Sequence, residues 1–119
     1  MNGRKMIVVD DQLGIRLLLY ELFKGEGFDI RLASSGLEAL EILEDFKPNV
    51  GIFDVRMRGL NGLKTLRKFK EICPDIKPVI ISAGEEEEIY EEASRLGAMV
   101  VAKPFDVFYI RELINSICA

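Results

Sequence analysis

The sequence contains no histidine in its 119 residues. This absence excludes a Ser-His-Asp or Cys-His catalytic centre and a zinc site with histidine ligands. It also excludes a phosphohistidine donor within the chain. Only two cysteines are present, Cys73 and Cys118, and they form no CxxC pair, so we predict reduced thiols rather than a disulfide. Any chemistry must therefore come from carboxylates, hydroxyls, lysine and a hard metal ion.

Long apolar runs and an excess of positive charge are also missing. The longest apolar runs, such as residues 7–9 and 99–102, are far too short to span a bilayer, and the N-terminal segment lacks the apolar core of a signal peptide. The net charge of −4 leaves no basic field for nucleic acid. No GxxxxGK[ST] phosphate loop occurs. We expect a cytoplasmic monomer that binds neither nucleic acid nor a membrane.

What the sequence does contain is a regular alternation of strand and helix patterns. A hydrophobic fraction of 49% is enough for a core, and the length fits a single domain over residues 1–119 with no output domain. Short apolar segments predict strands at residues 5–9, 50–53, 78–82 and 99–102, and the alternation of apolar and polar residues predicts a further strand at residues 28–32.

Between these segments, apolar residues recur at helical spacing. The first helix is predicted over residues 13–24, and a later one begins at the acidic run 85–88 and ends at Gly97. The side chains expected to face inward in the later helices are Leu37, Leu40, Leu43, Leu63, Leu66, Phe69, Ile72, Ile89, Ala93, Leu96, Ile110, Leu113, Ile114 and Ile117. Right-handed crossovers then give an α/β fold, a five-stranded parallel sheet with five helices on both faces, arranged as in flavodoxin.

Polar side chains cluster where the predicted strands end. Asp10 and Asp11 follow the first strand, Asp54 the third, Ser82 the fourth and Lys103 the fifth. Each carboxylate alone could be a turn former or a helix cap, but ligands of open α/β sheets bind at this edge. Clustered carboxylates need a cation, and oxygen ligands together with a phosphate favour Mg²⁺. Asp54 could then be a nucleophile for phosphoryl transfer, with Lys103 supplying charge and Ser82 a hydrogen bond.

Four segments around these side chains match a known pattern. They are residues 8–11 (VVDD), 53–57 with 59–62 (FDVRM, GLNG), 81–83 (ISA) and 103–105 (KPF). Over essentially its whole length the sequence resembles the receiver domains of two-component response regulators. The resemblance implies that Asp54 accepts a phosphoryl group from a histidine kinase, with Ser82 and Lys103 contacting that group. It implies a signalling phosphoacceptor rather than an enzyme.

The resemblance also implies a set of metal ligands. Asp11 and Asp54 would bind Mg²⁺ directly, the backbone carbonyl of Arg56 would be a further ligand, and Asp10 would act through water. In this family the bond equivalent to Lys103–Pro104 is usually cis, so a cis bond is expected here.

Two segments, residues 10–16 (DDQLGIR) and 102–106 (AKPFD), are similar to the single-domain phosphorelay intermediates of sporulating bacteria. That similarity implies transfer of the phosphoryl group to a histidine phosphotransferase. It implies a docking patch made of Gln12, Gly14, Ile15, Leu18, Pro104 and Phe105. Helical spacing places Ile15 and Leu18 on the apolar stripe and leaves Leu13 and Leu17 as surplus. Which of the two pairs is exposed stays open at this stage.

Alternative functions are less consistent with the residues. An aspartate-nucleophile phosphatase needs an acid two residues after the nucleophile, where this chain has Arg56. A phosphorylation-independent interaction module and a motility-type regulator stay open. Val100 stands where many family members have a switching aromatic residue, and this favours a phosphate carrier over an allosteric switch.

Overall fold

The computed structural model describes residues 4–57, 61–84 and 87–118. Positions 59 and 60 of the GLNG segment, and positions 85 and 86 of the predicted helix start, lie outside the described residues. Strands and helices alternate along the chain in the order β1 (Lys5–Val9), α1 (Leu13–Lys24), β2 (Asp29–Ala33), α2 (Gly36–Leu43), β3 (Val50–Asp54), α3 (Gly62–Ile72), β4 (Lys77–Ser82), α4 (Glu87–Arg95), β5 (Met99–Ala102) and α5 (Val107–Ile117). None of the helices in these ranges is long and apolar enough to cross a membrane.

The five strands form one parallel sheet in the order β2-β1-β3-β4-β5, which confirms the predicted fold class. The chain leaves β1 toward β2 and returns on the other side of β1 as β3. The strand order therefore reverses between β1 and β3, and the carboxyl ends of these two strands border the crevice in which such sheets bind ligands.

Alternate strand residues supply two cores, one on each face of the sheet. Ile7 and Val9 pack with residues of α2, α3 and α4 on one face, whereas Met6 and Val8 pack with α1 and α5 on the other. Strands buried on both faces explain the continuous apolar runs in the sequence.

Two predicted inward-facing side chains are wrong. Leu37 is 68% exposed and Ile72 is 55% exposed. In α2 the buried positions are Gly36, Ala39 and Leu43, so small residues approach the sheet and the larger Leu37 points away. In α3 repeated spacing by three drifts around the helix, because a full turn takes 3.6 residues, and Ile72 has rotated off the buried face.

Helix ends follow local chemistry. Ser35 and Asn61 accept hydrogen bonds from the backbone amides of Glu38 and Lys64, which caps α2 and α3. Asp106 precedes α5 and accepts from the backbone amide of Phe108 in the same way. Gly97 has a φ of +72°, the left-handed conformation expected of a glycine just beyond a helix.

Candidate functional site

Three carboxylates meet at the crevice between β1 and β3. Asp10 and Asp11 directly follow β1, and Asp54 is the last residue of β3. Each offers one oxygen, and these oxygens lie within 4.8 Å of one another. Asp10 and Asp54 are buried and Asp11 is exposed, so the cluster, here called the acidic site, opens to solvent on one side.

Lys103, immediately after β5, reaches across the sheet edge into the acidic site. Its Nζ lies 3.4 Å from Asp54 Oδ2 and 3.5 Å from Asp10 Oδ2. The same ammonium donates a hydrogen bond of 3.1 Å to Gln12 Oε1. One cation is therefore shared by two buried carboxylates and an exposed amide. The sequence predicted Lys103 here but not its bond to Gln12, which depends on side-chain conformations.

Asp10 is held rigidly, yet one of its oxygens has unused capacity. Its Oδ1 accepts from the Gln12 backbone amide at 2.9 Å, and its carbonyl accepts from Arg16 Nη1 at 2.8 Å. Its Oδ2 is buried and has no hydrogen-bond partner in the described part of the chain, although the Lys103 ammonium lies 3.5 Å away. A buried carboxylate oxygen without such a partner is costly, and a hard cation or its water shell would satisfy it. The donor set therefore fits Mg²⁺.

The charge of Asp54 is disfavoured in this setting. Burial, and then the nearby Asp10 carboxylate, raise the pKa of Asp54 above its ordinary value. Lys103 and the Arg56 backbone amide, which lies 3.4 Å from Asp54 Oδ1, act in the opposite direction without cancelling this. The acidic site is short of positive charge.

The backbone behind Asp54 depends on Gly62, whose role the sequence did not reveal. A Cβ added at Gly62 would lie 2.1 Å from the Asp54 carbonyl oxygen, so no other residue fits without a backbone shift. Gly62 is the first residue of α3, directly after the cap residue Asn61. The sequence did contain one indication of this close approach, a glycine at a helix start, where capping does not require it.

Ser82 lies at the end of β4, one residue beyond the partner of Asp54 in the strand register. Its buried hydroxyl donates to the Gly84 carbonyl at 3.2 Å and accepts from the Gly84 amide at 3.3 Å. To donate to a phosphoryl oxygen, this hydroxyl must release the Gly84 carbonyl.

Four of the six residues of the predicted docking patch lie together beside Lys103, whereas Gln12 and Gly14 do not line the groove that these four form. A groove of about 460 Å³ is lined by Ile15, Leu18, Ala83, Lys103, Pro104 and Phe105. Leu18 is 43% exposed, as are the surplus Leu13 at 59% and Leu17 at 50%, whereas Ile15 is partly buried. The question left open by helical spacing is thus resolved with three exposed leucines on α1. The Lys103–Pro104 bond at the edge of the groove is cis, as expected.

Comparisons with known proteins agree with this architecture. The sequence profile of the response regulator receiver domain matches residues 6–115. Sporulation initiation phosphotransferase F of Bacillus subtilis (strain 168) is 37% identical over 117 residues, which cover 98% of this chain and 94% of that protein. Chemotaxis protein CheY of Thermotoga maritima is 27% identical and covers 97% of this chain and 98% of its own.

A solved structure resembles the chain equally well in three dimensions. It is a CheY-like response regulator receiver domain protein from Methanospirillum hungatei JF-1, with a TM-score of 0.91 and 22% identity. The alignment covers 96% of this chain and 92% of that one. This likeness shows the fold. The profile match over residues 6–115, together with the 37% identity to sporulation initiation phosphotransferase F, assigns the chain to the family of response regulator receiver domains.

Proposed function

We propose that Asp54 accepts a phosphoryl group from the phosphohistidine of a histidine kinase and passes it on within a phosphorelay. Receiver domains are signalling phosphoacceptors. The observation that supports Asp54 is the convergence of three carboxylates within 4.8 Å of one another beneath one ammonium. The similarity to sporulation initiation phosphotransferase F supports a phosphorelay, and specifically one that controls sporulation.

In the proposed reaction an oxygen of Asp54 attacks phosphorus and forms a P–O bond. The P–N bond to the donor histidine breaks, and the histidine nitrogen keeps the electron pair and takes up a proton. The Lys103 ammonium lies 3.4 Å from Asp54 Oδ2. It would therefore be close enough to stabilise the negative charge on the phosphoryl oxygens during transfer. The Ser82 hydroxyl turns from Gly84 to donate to one of these oxygens.

The acidic site would hold Mg²⁺ through Asp11, Asp54 and the backbone carbonyl of Arg56, with Asp10 acting through water. When bound, the ion supplies the positive charge that three carboxylates and a phosphoryl group require. Asp10 also stabilises the backbone that follows β1, because its Oδ1 accepts a hydrogen bond from the Gln12 amide.

The test uses acetyl phosphate as a small phospho-donor, with and without Mg²⁺, followed by intact-protein mass measurement. The wild-type chain should gain one phosphoryl group only with Mg²⁺, and Asp54→Asn should gain none. Asp45→Asn is the matched control, because Asp45 is an exposed acid whose side chain makes no hydrogen bond or ion pair among the described residues. Labelling of Asp54→Asn at the wild-type rate would overturn the proposal.

The docking patch is proposed to receive the histidine-bearing partners. Its apolar groove lies directly beside Lys103, so a helix seated there would bring its histidine to the acidic site. Exposed apolar surface of this kind is typical of protein interfaces. A histidine phosphotransferase is the expected acceptor, and a histidine kinase the expected donor.

Substitutions on two exposed leucines separate docking from chemistry. Leu18→Ala should slow phosphotransfer from a cognate kinase about tenfold, as loss of an interface anchor does, while labelling by acetyl phosphate stays unchanged. Leu37→Ala is the control, since Leu37 is exposed on α2, outside the groove. Equal rates for Leu18→Ala and wild type with the kinase would contradict the docking proposal.

A further inference from the structure

A second cavity lies at the opposite edge of the sheet, where the strands begin. It encloses about 660 Å³, which is within the usual range for small-molecule sites. Its walls come from residues just before β1 and β3, from the start of β4 and from the ends of α3 and α5. We call it the amino-edge cavity. The acidic site does not contribute to it.

The amino-edge cavity is cationic although the protein is acidic. Arg4, Lys47 and Lys77 line it and Asp75 is the single acid among its lining residues, whereas the whole chain has a net charge of −4. Helix carboxyl ends attract cations, and this accounts for Lys47, whose ammonium donates to the carbonyl of Leu43 at the end of α2 at 2.8 Å. The other two cations are not explained in this way.

Arg4 and Lys77 retain unused hydrogen-bonding capacity. The Arg4 guanidinium lies 4.3 Å from the centre of the Phe28 ring and donates to Asn115, but its buried Nε has no hydrogen-bond partner in the described ranges. The Lys77 ammonium forms no ion pair or hydrogen bond with the described part of the chain. Lys77 is exposed, so its ammonium can pair with an anionic group that enters the cavity.

Apart from Asn49 and Asp75, the residues that form the remaining wall of the cavity are apolar. Phe28, Ile117 and Ile72 line it, and Ile72 is 55% exposed. Cys73 and Cys118 also line the cavity. Burial raises the pKa of both thiols, so they are neutral at physiological pH and behave as small apolar groups.

We propose that the amino-edge cavity binds a small organic anion with an apolar body, such as an aromatic or long-chain carboxylate or sulfonate. The anionic group would lie against Lys77 and Arg4, away from the helix carboxyl ends that repel it. The apolar body would cover Ile72 and Phe28. This site is separate from the phosphoryl chemistry and does not depend on the proposed function.

A pair of fluorescent probes with the same apolar body tests the proposal. Anilinonaphthalene sulfonate has the anionic group, and N-phenylnaphthylamine lacks it. With folded wild-type protein in Mg²⁺, the sulfonate should bind saturably with one site per chain, and the neutral probe about fivefold more weakly, the effect of one exposed ion pair. Absence of saturable sulfonate binding, or equal affinity for both probes, would overturn the proposal.

Variants and amide NMR shifts then locate the bound probe. Lys77→Gln should weaken the sulfonate about fivefold and leave the neutral probe unchanged, whereas Ile72→Ser should weaken both. Lys68→Gln, an exposed lysine of α3 outside the cavity, should change neither. Sulfonate-induced shifts should concentrate at Asn49, Cys73 and Cys118. Shifts concentrated at Leu18 and Phe105 instead would place the probe in the docking patch and overturn the proposal.

Discussion

At Asp54, burial and a neighbouring carboxylate oppose the charge that attack on phosphorus requires. The raised pKa of Asp54 means that the folded protein holds this proton more tightly than the unfolded chain does. Its contribution to stability is therefore lost as pH rises from about 4, the unfolded value, through the raised folded value. Above the folded pKa, the ionised Asp54 carboxylate therefore destabilises the metal-free protein.

Asp54→Asn should consequently stabilise the metal-free protein at neutral pH by about 1 kcal/mol, because it removes the repulsion with Asp10. Urea unfolding in the presence of EDTA measures the difference, which should shrink as pH falls below about 4, where Asp54 is protonated in both states. Asp45→Asn provides the exposed control. An Asp54→Asn variant less stable than wild type at neutral pH would contradict this account.

Two glycines give opposite predictions for the same substitution. Gly62→Ala should destabilise the protein by about 2 kcal/mol or more, because the new methyl group overlaps the Asp54 carbonyl. It should also slow labelling of Asp54 by acetyl phosphate. Gly14→Ala should stabilise by about 0.5–1 kcal/mol, since nothing lies within 4 Å of the added carbon in helix α1. Thermal unfolding compares the two, and equal effects would refute the steric argument.

At the scale of elements, α2 depends on its first turn. The Ser35 hydroxyl accepts from the Glu38 amide at 3.1 Å, and the Glu38 carboxylate accepts from the backbone amide and the hydroxyl of Ser34. Ser35→Ala should cost about 1 kcal/mol of unfolding free energy, the usual value of a helix cap. Ser94→Ala, an exposed serine inside α4, should cost nothing measurable in the same urea titration. Equal losses would mean that the cap is unimportant.

The elements also show where sequence reasoning works and where it stops. All five strands were identified to within one residue: continuous apolar runs marked β1, β3, β4 and β5, whereas the alternation of residues 28–32 marked β2, an edge strand that exposes Asp29 and Arg31. Helix burial was less predictable. Leu37 and Ile72 were assigned to the core by size and spacing. In α2 the sheet is instead approached by Gly36 and Ala39, and in α3 the helical rotation carries Ile72 off the buried face. Close packing rewards fit rather than side-chain size, and fit is a property of two elements together.

At the scale of the molecule, the acidic site is a product of topology. Asp10, Asp54 and Lys103 are distant in sequence, and the strand order brings their positions to one edge. That much could be predicted from strand ends alone. The Gln12–Lys103 bond and the Oδ2 of Asp10 that lacks a hydrogen-bond partner could not, because they are set by side-chain conformations after the chain has folded.

Lys103 follows β5 and forms ion pairs with Asp10 after β1 and Asp54 at the end of β3, so it links three strands electrostatically. Replacing it tests how far this charge pairing stabilises the fold. Lys103→Met should destabilise the metal-free protein by about 2 kcal/mol, because two buried carboxylates lose the ammonium within 3.5 Å of them. Added Mg²⁺ should then stabilise the variant more than the wild type, since the ion no longer shares the carboxylates with a competing cation.

Urea unfolding in EDTA and at rising Mg²⁺ concentrations measures both effects. Lys68→Met, at an exposed position of α3, should match the wild type throughout. If Lys103→Met were as stable as wild type in EDTA, or if Mg²⁺ added the same increment to both proteins, then Lys103 would not be compensating the carboxylates. The predicted result would mean that repulsion between the carboxylates at the strand ends destabilises the metal-free protein. Lys103 would offset part of this destabilisation, and a bound divalent ion would offset more of it.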